Sequence, residues 1–177
     1  MESWLLEYGS LCLLVAGFLY GINFPCPLGV LLMAAGGLAR QGVIAWPALL
    51  LACPLGILLG EQPWFFLGRK LARRAPVWLA ARFRQQGPSL LLTGRFIPGV
   101  PATVVPLAGM TGVSWSRFFA WDLASALLYT VTYSVCGNVL SRWLSLGQIV
   151  ALAVVILVAV QLLAIRRSRP AQPGPEV

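Results

Sequence analysis

The chain has 177 residues, of which 59% are hydrophobic and only 10% charged, and its mean hydropathy is +0.83. A soluble domain carries about a quarter charged residues, so this composition fits an all-α integral membrane protein, read as one domain over residues 1–165. The net charge is +8 with no histidine. That excludes Ser-His-Asp and Cys-His catalysis, imidazole metal sites and histidine proton relays.

In chain order, the first apolar segment is 4–20. It opens MESWLLEYG, with acids where a secretory leader carries Lys or Arg, and is read as a retained transmembrane helix. FPCPLGVLLMAAGGLARQG at 24–42 follows, broken by prolines and glycines, and then an apolar run at 43–60 long enough to cross a bilayer. Arg69, Lys70, Arg73, Arg74, Arg82 and Arg84 come next, interleaved with Leu71, Val77, Trp78, Leu79 and Phe83. That is the pattern of a helix lying in the headgroup layer, and a topology signal, not a nucleic-acid footprint. GRFIPGVPATVVPLAGMTG at 94–112 puts Arg95 among prolines and glycines. Apolar runs at 118–140 and 147–165 complete the membrane part, and RRSRPAQPGPEV at 166–177 reads as a disordered cytoplasmic tail.

The charges constrain the path. Residues 69–84 and the group Arg166, Arg167, Arg169 both belong inside by the positive-inside rule. Three full crossings between them would put them on opposite sides. If 88–112 enters and returns to the same face, two crossings remain and both groups lie inside. Broken backbone at membrane depth is tolerated where protein or a watery cavity covers it, so 88–112 is expected to be a re-entrant hairpin.

The same signature occurs at about 22–42. Pro25 precedes Ala35-Gly36 by the interval at which Pro98 precedes Ala108-Gly109, and Trp46 then falls opposite Phe119. Two opposed re-entrant helical hairpins, each followed by a transmembrane helix, form an inverted repeat of the kind found in transporters. N- and C-terminal transmembrane helices flank it, with both termini cytoplasmic.

Three kinds of residue carry candidate chemistry. Arg95 presents a planar fork that matches phosphate oxygens, with Pro98 and Gly99 breaking the helix beside it and freeing N–H groups. The competing reading is an arginine that snorkels to the inner interface. Glu61 and Asp122 are the acids clear of the termini and are candidates for proton or ion coupling. Glu61 has Arg69 or Arg95 as a partner, and Asp122 has Arg117 or Arg95; an interfacial salt bridge and a helix-dipole role are their structural alternatives. Cys12, Cys26, Cys53 and Cys136 lack paired spacing and read as packing residues, with no metal or cofactor implied.

These residues resemble a family. FPCPLGVLLMAAGGLA, LGEQPWFFLGRKLARR and RFIPGVP, followed by AGM and VSWSRFFAWDLASALLY, are similar to the DedA proteins of the bacterial inner membrane, which carry the VTT (SNARE-associated) domain. The resemblance covers roughly 8–165. It implies opposed re-entrant hairpins and a non-enzymatic transporter or flippase for polyprenyl phosphate or phospholipid, coupled to protons or another ion. Membrane lipids with phosphate headgroups are then the partners, and homo-oligomers are open. The family's first-hairpin acids are replaced here by Tyr20 and Gly29, and its second arginine by Pro101. The alternatives are a membrane assembly or integrity protein that keeps only the fold, and a membrane phosphatase or transferase acting on the same lipids, which sparse acids and absent histidines disfavour.

Overall fold

The computed structural model describes residues 2–24, 26–71, 77–97, 100–143, 147–148, 151 and 155. Among these residues there are six helices and no strand: α1 (Glu2–Gly21), α2 (Leu28–Arg40), α3 (Trp46–Lys70), α4 (Val77–Gly94), α5 (Val100–Met110) and α6 (Trp115–Leu140). Two of them, α3 and α6, are long and apolar enough to cross a membrane. The expected C-terminal helix 147–165 and the tail 166–177 lie largely outside the described residues.

The connections follow from local chemistry. Asn23 adopts a left-handed conformation, and the Asn23 and Phe24 amides donate back to the Tyr20 and Leu19 carbonyls at 3.0 and 2.9 Å. That closes α1 with a Schellman stop, and Asn tolerates the positive φ better than most residues. Pro27, which lacks an N–H, then stands immediately before α2. Gly42 and Gly112 have φ of +76° and +74° on the approaches to α3 and α6. A side chain is strained in that region, which explains a glycine at each place. Ala45 and Ser114 are extended, and Pro47 opens the first turn of α3, where its missing N–H has no intrahelical partner to lose.

Packing relies on small residues that let backbones touch, as in membrane helix pairs. Gly17 lies on the Cys53 carbonyl and Gly56 on the Leu14 carbonyl; one turn later Gly21 lies on Ile57 and Gly60 on Phe18. Both contacts advance in the same sense, so α1 and α3 run parallel. Gly9 sits beside Ile44, level with the start of α3. This corrects the expectation of α1 as a crossing opposite in sense to α3. Residues 22–42, expected to form a re-entrant hairpin by themselves, contain a turn and the single helix α2.

The two halves match. Gly94 closes α4 at the same interval from Gly21 that separates Pro98 from Pro25. The short helix α2 packs on α6 and the short helix α5 on α3, each on the long helix of the other half. Gly36 meets the Ser134 backbone and Gly137 the Met33 backbone, while Gly109 meets Phe65 and Gly68 meets Pro106. The long helices are four residues closer in sequence than the hairpins, so Trp46 corresponds to Trp115 and not to Phe119. The cause is that α5 ends sooner than α2. Two apolar cores result, one around Leu32, Leu49, Ile57 and Ala126, the other around Phe65, Val105 and Phe118. Phe65 and Phe118 stack at 4.3 Å.

Candidate functional site

Between the two cores the end of α1 meets the α4–α5 connection. Residue 95 follows α4 directly, where Phe96 and Ile97 amides turn back onto the Thr93 and Gly94 carbonyls. The turn aims the Arg95 side chain into the protein, and it is only 4% exposed. An interfacial, snorkelling arginine is therefore excluded. Its Nη1 and Nη2 donate to Glu61 Oε1 and Oε2, both at 2.9 Å, and Nη2 also donates to Asp122 Oδ1. Nε donates to Ser125 Oγ at 3.0 Å, and that hydroxyl donates on to the Leu91 carbonyl at 2.7 Å. Glu61 and Asp122 are 2% and 0% exposed.

One cation thus faces two carboxylates in a buried site. A buried charge needs a partner and hydrogen bonds, and here each supplies the other's. The three residues come from α3, the α4–α5 connection and α6. Of the sequence-stated pairings, both acids choose Arg95. Arg69 instead donates to the Val113 carbonyl at 3.4 Å and lies over the Phe65 ring, while Arg117 is exposed. Pro98 and Gly99 lie outside the described residues.

Above the cluster are rings. Tyr20 donates to the Arg95 carbonyl at 3.4 Å, joining α1 to the α4–α5 connection, and stacks on Tyr129 at 5.9 Å. Tyr129 and Tyr133 are 4.5 Å apart, with Phe96 packed against both. A small recess of about 10 Å³, room for one water, lies between α4 and α5 beside Arg95, Leu91 and Pro101. No group of three or more acid, cysteine or histidine residues suited to a metal occurs among the described residues.

The model of the VTT domain matches residues 9–139, most of the chain. This chain belongs to the VTT-domain (DedA) family. A Haemophilus influenzae protein described as an uncharacterized membrane protein is 28% identical over 150 residues, covering 75% of this chain and 70% of that one. The Escherichia coli inner membrane protein YqjA is 29% identical over 143 residues, covering 73% of this chain and 62% of YqjA. A Bacillus subtilis membrane protein, YbfM, is 22% identical over 154 residues and is covered to 95%. No solved structure matches the chain. Membrane residence follows from the family and from these relatives.

In this VTT-domain protein the positions where the resemblance expects acids are occupied by the ring cluster. Tyr20 belongs to it, and a Cβ on Gly29 would come within 2.8 Å of the Tyr133 ring. The negative charge facing Arg95 comes from α3 and α6 instead. Sequence reading missed Ser125 and Tyr20 as partners of Arg95. Ser125 was detectable, lying three residues after Asp122 on the same helical face; Tyr20 was not, because only the fold brings it there.

Proposed function

We propose that this VTT-domain protein is a carrier, not a catalyst, that moves a phosphate-bearing lipid, polyprenyl phosphate or phospholipid, across the bacterial inner membrane. The observation that carries this reading is the grip on Arg95. Glu61 engages the guanidinium fork through both oxygens, as a phosphate would. A lipid phosphate reaching the hairpin ends would replace Glu61 at the same atoms. One proton on the carboxylate pair makes the cluster neutral and loosens the grip, which would couple headgroup binding to proton uptake.

The membrane arrangement belongs to the same proposal. Residues 69–84 lie on the cytoplasmic side, α3 and α6 cross, and the α1–α2 and α4–α5 hairpins enter from opposite faces and return. Because α1 runs parallel to α3, its Glu2 end faces outward on this reading, not inward as the charge map alone implies. Arg95 then lies in the inner half, reached from the cytoplasmic leaflet.

A second reading, a membrane assembly or integrity protein that keeps only the fold, is favoured by one observation. The cluster is sealed and the recess beside it holds no more than a water. Purified protein in liposomes separates the two. The carrier reading expects fluorescent polyprenyl phosphate or phospholipid to equilibrate between leaflets faster than in protein-free vesicles. Equal rates for both lipids would leave the assembly reading.

A further inference from the structure

The two edges of the Arg95 fork go to different helices. The end edge, Nη1 with Nη2, meets both oxygens of Glu61 on α3 at 2.9 Å. The side edge meets α6: Nε donates to Ser125 Oγ at 3.0 Å, and Nη2 donates to Asp122 Oδ1. Asp122 and Ser125 are three residues apart and so share one face of that helix. A guanidinium is planar and holds its donors in fixed directions, so fixing one edge aims the other. Asp122 is also in contact with Glu61, whereas Ser125 reaches the other way. Its hydroxyl is fully buried and donates to the Leu91 carbonyl in the last turn of α4 at 2.7 Å. The hydroxyl hydrogen is committed there, which leaves the oxygen lone pairs for Arg95 Nε–H.

The matching half shows what this serine adds. In the register that pairs Trp46 with Trp115, Ser125 and Tyr129 of α6 stand where α3 has Gly56 and Gly60. In the register that pairs Gly21 with Gly94, Arg95 stands where the first half has Ile22, and Leu91 where it has Phe18. Gly56 and Gly60 let α3 rest on the Leu14 and Phe18 carbonyls of α1, backbone against backbone. At the same place in the second half a side chain stands between α6 and α4, with its hydroxyl on the Leu91 carbonyl and on Arg95. The half with the arginine is thus the half with a hydroxyl at this seam. The half without it has a glycine there.

We infer that Ser125 is the positioning residue of Arg95: with Asp122 it clamps the side edge of the guanidinium to α6, so that only the end edge exchanges Glu61 for a phosphate. Because Ser125 is bonded to α4 as well, the arginine keeps its aim when Glu61 lets go. Service to a lipid phosphate rests on the carrier reading above; the clamp itself does not.

Arginine labelled with nitrogen-15 gives the Arg95 Nε–H a magnetic resonance signal in detergent-solubilised protein, assigned by its loss in Arg95→Lys. Ser125→Ala is expected to speed exchange of that proton with water by roughly tenfold or more. Ser134→Ala removes an equally buried hydroxyl further along α6 and is expected to exchange as wild type. In Glu61→Ala the protected signal is expected to persist, because α6 still holds the side edge; Glu61→Gln serves the same comparison where Glu61→Ala does not fold. Equal exchange in wild type and Ser125→Ala, or loss of protection on removing Glu61, overturns the inference. In liposomes carrying a fluorescent polyprenyl phosphate or phospholipid, Ser125→Ala is expected to raise the half-saturating lipid fraction by roughly tenfold, with a smaller change in maximal rate. A fall in maximal rate alone is what a merely structural serine gives, and it also overturns the inference. A wild type that moves neither lipid but shows the exchange difference overturns the carrier reading and upholds the clamp.

Discussion

Arg95 is held by four hydrogen bonds to three side chains, and removing it leaves two carboxylates facing each other in a buried site. Breaking a buried ion network from one side costs about 3–5 kcal/mol. Arg95→Ala is therefore expected to lower thermal stability in detergent sharply, and Arg95→Ala combined with Glu61→Gln and Asp122→Asn to recover most of the loss. A triple variant no more stable than the single one would mean that the acids do not depend on Arg95. The two acids differ in their surroundings. Glu61 mirrors a phosphate on the fork, whereas Asp122 is fully buried with one oxygen unpaired. Glu61→Gln, which alters two of the four hydrogen bonds on Arg95, is expected to make flipping indifferent to an imposed pH gradient and to lower the melting temperature, and Asp122→Asn to lower it as well. Flipping rates with and without a gradient, beside melting curves, test this; a gradient response intact in Glu61→Gln contradicts it. The chemistry of Arg95, Glu61 and Asp122 was legible in the sequence as types and positions. Their mutual pairing was not, because with the broken segment read as 88–112 residue 95 falls near its mouth, and only the run of α4 from Val77 to Gly94 places it in the α4–α5 connection, pointing inward.

At the level of helices, glycine decides which elements touch. Gly17, Gly21, Gly56 and Gly60 bring α1 and α3 to backbone contact, and a Cβ at any of them would strike a carbonyl of the neighbour. Overpacking of this kind costs about 1–3 kcal/mol. Gly21→Leu or Gly60→Val is expected to lower the melting temperature and to open the α1–α3 seam, read as loss of a cross-link between cysteines placed at 9 and 44, where a side chain fits. An unchanged melting temperature with the cross-link intact would contradict the seam. The breaks between α1 and α2 and between α4 and α5 were readable, since Pro-rich, Gly-rich interruptions announce broken helices wherever they occur. The direction of α1 was not readable: an apolar stretch of that length fits a full crossing as well as one limb of a hairpin, and its parallel packing on α3 depends on the pairing of two distant glycine pairs. The register of the long helices was misjudged for a similar reason, because the repeat is kept in the hairpins and shortened after α5.

The whole molecule is two matching halves that differ in charge: Glu61, Asp122 and Arg95 on one side of the pseudo-axis, Thr130 and Cys53 at the corresponding helix positions on the other. Labelling from each side of the membrane tests its placement. In a background lacking the four native cysteines, single cysteines at 87 and 113 are expected to react from the cytoplasmic side and those at 9 and 43 from the outside. Labelling of 87 and 113 from opposite sides would break the hairpin arrangement. The measurement that bears most directly on function is transbilayer movement of a fluorescent phosphate-bearing lipid in liposomes, comparing wild type with Arg95→Lys. Lysine keeps the positive charge between the acids but cannot offer a two-pronged fork. The account predicts clear acceleration by wild type over empty vesicles and a rate lower by roughly tenfold or more in Arg95→Lys, with similar folding. Equal rates for the two proteins would contradict it.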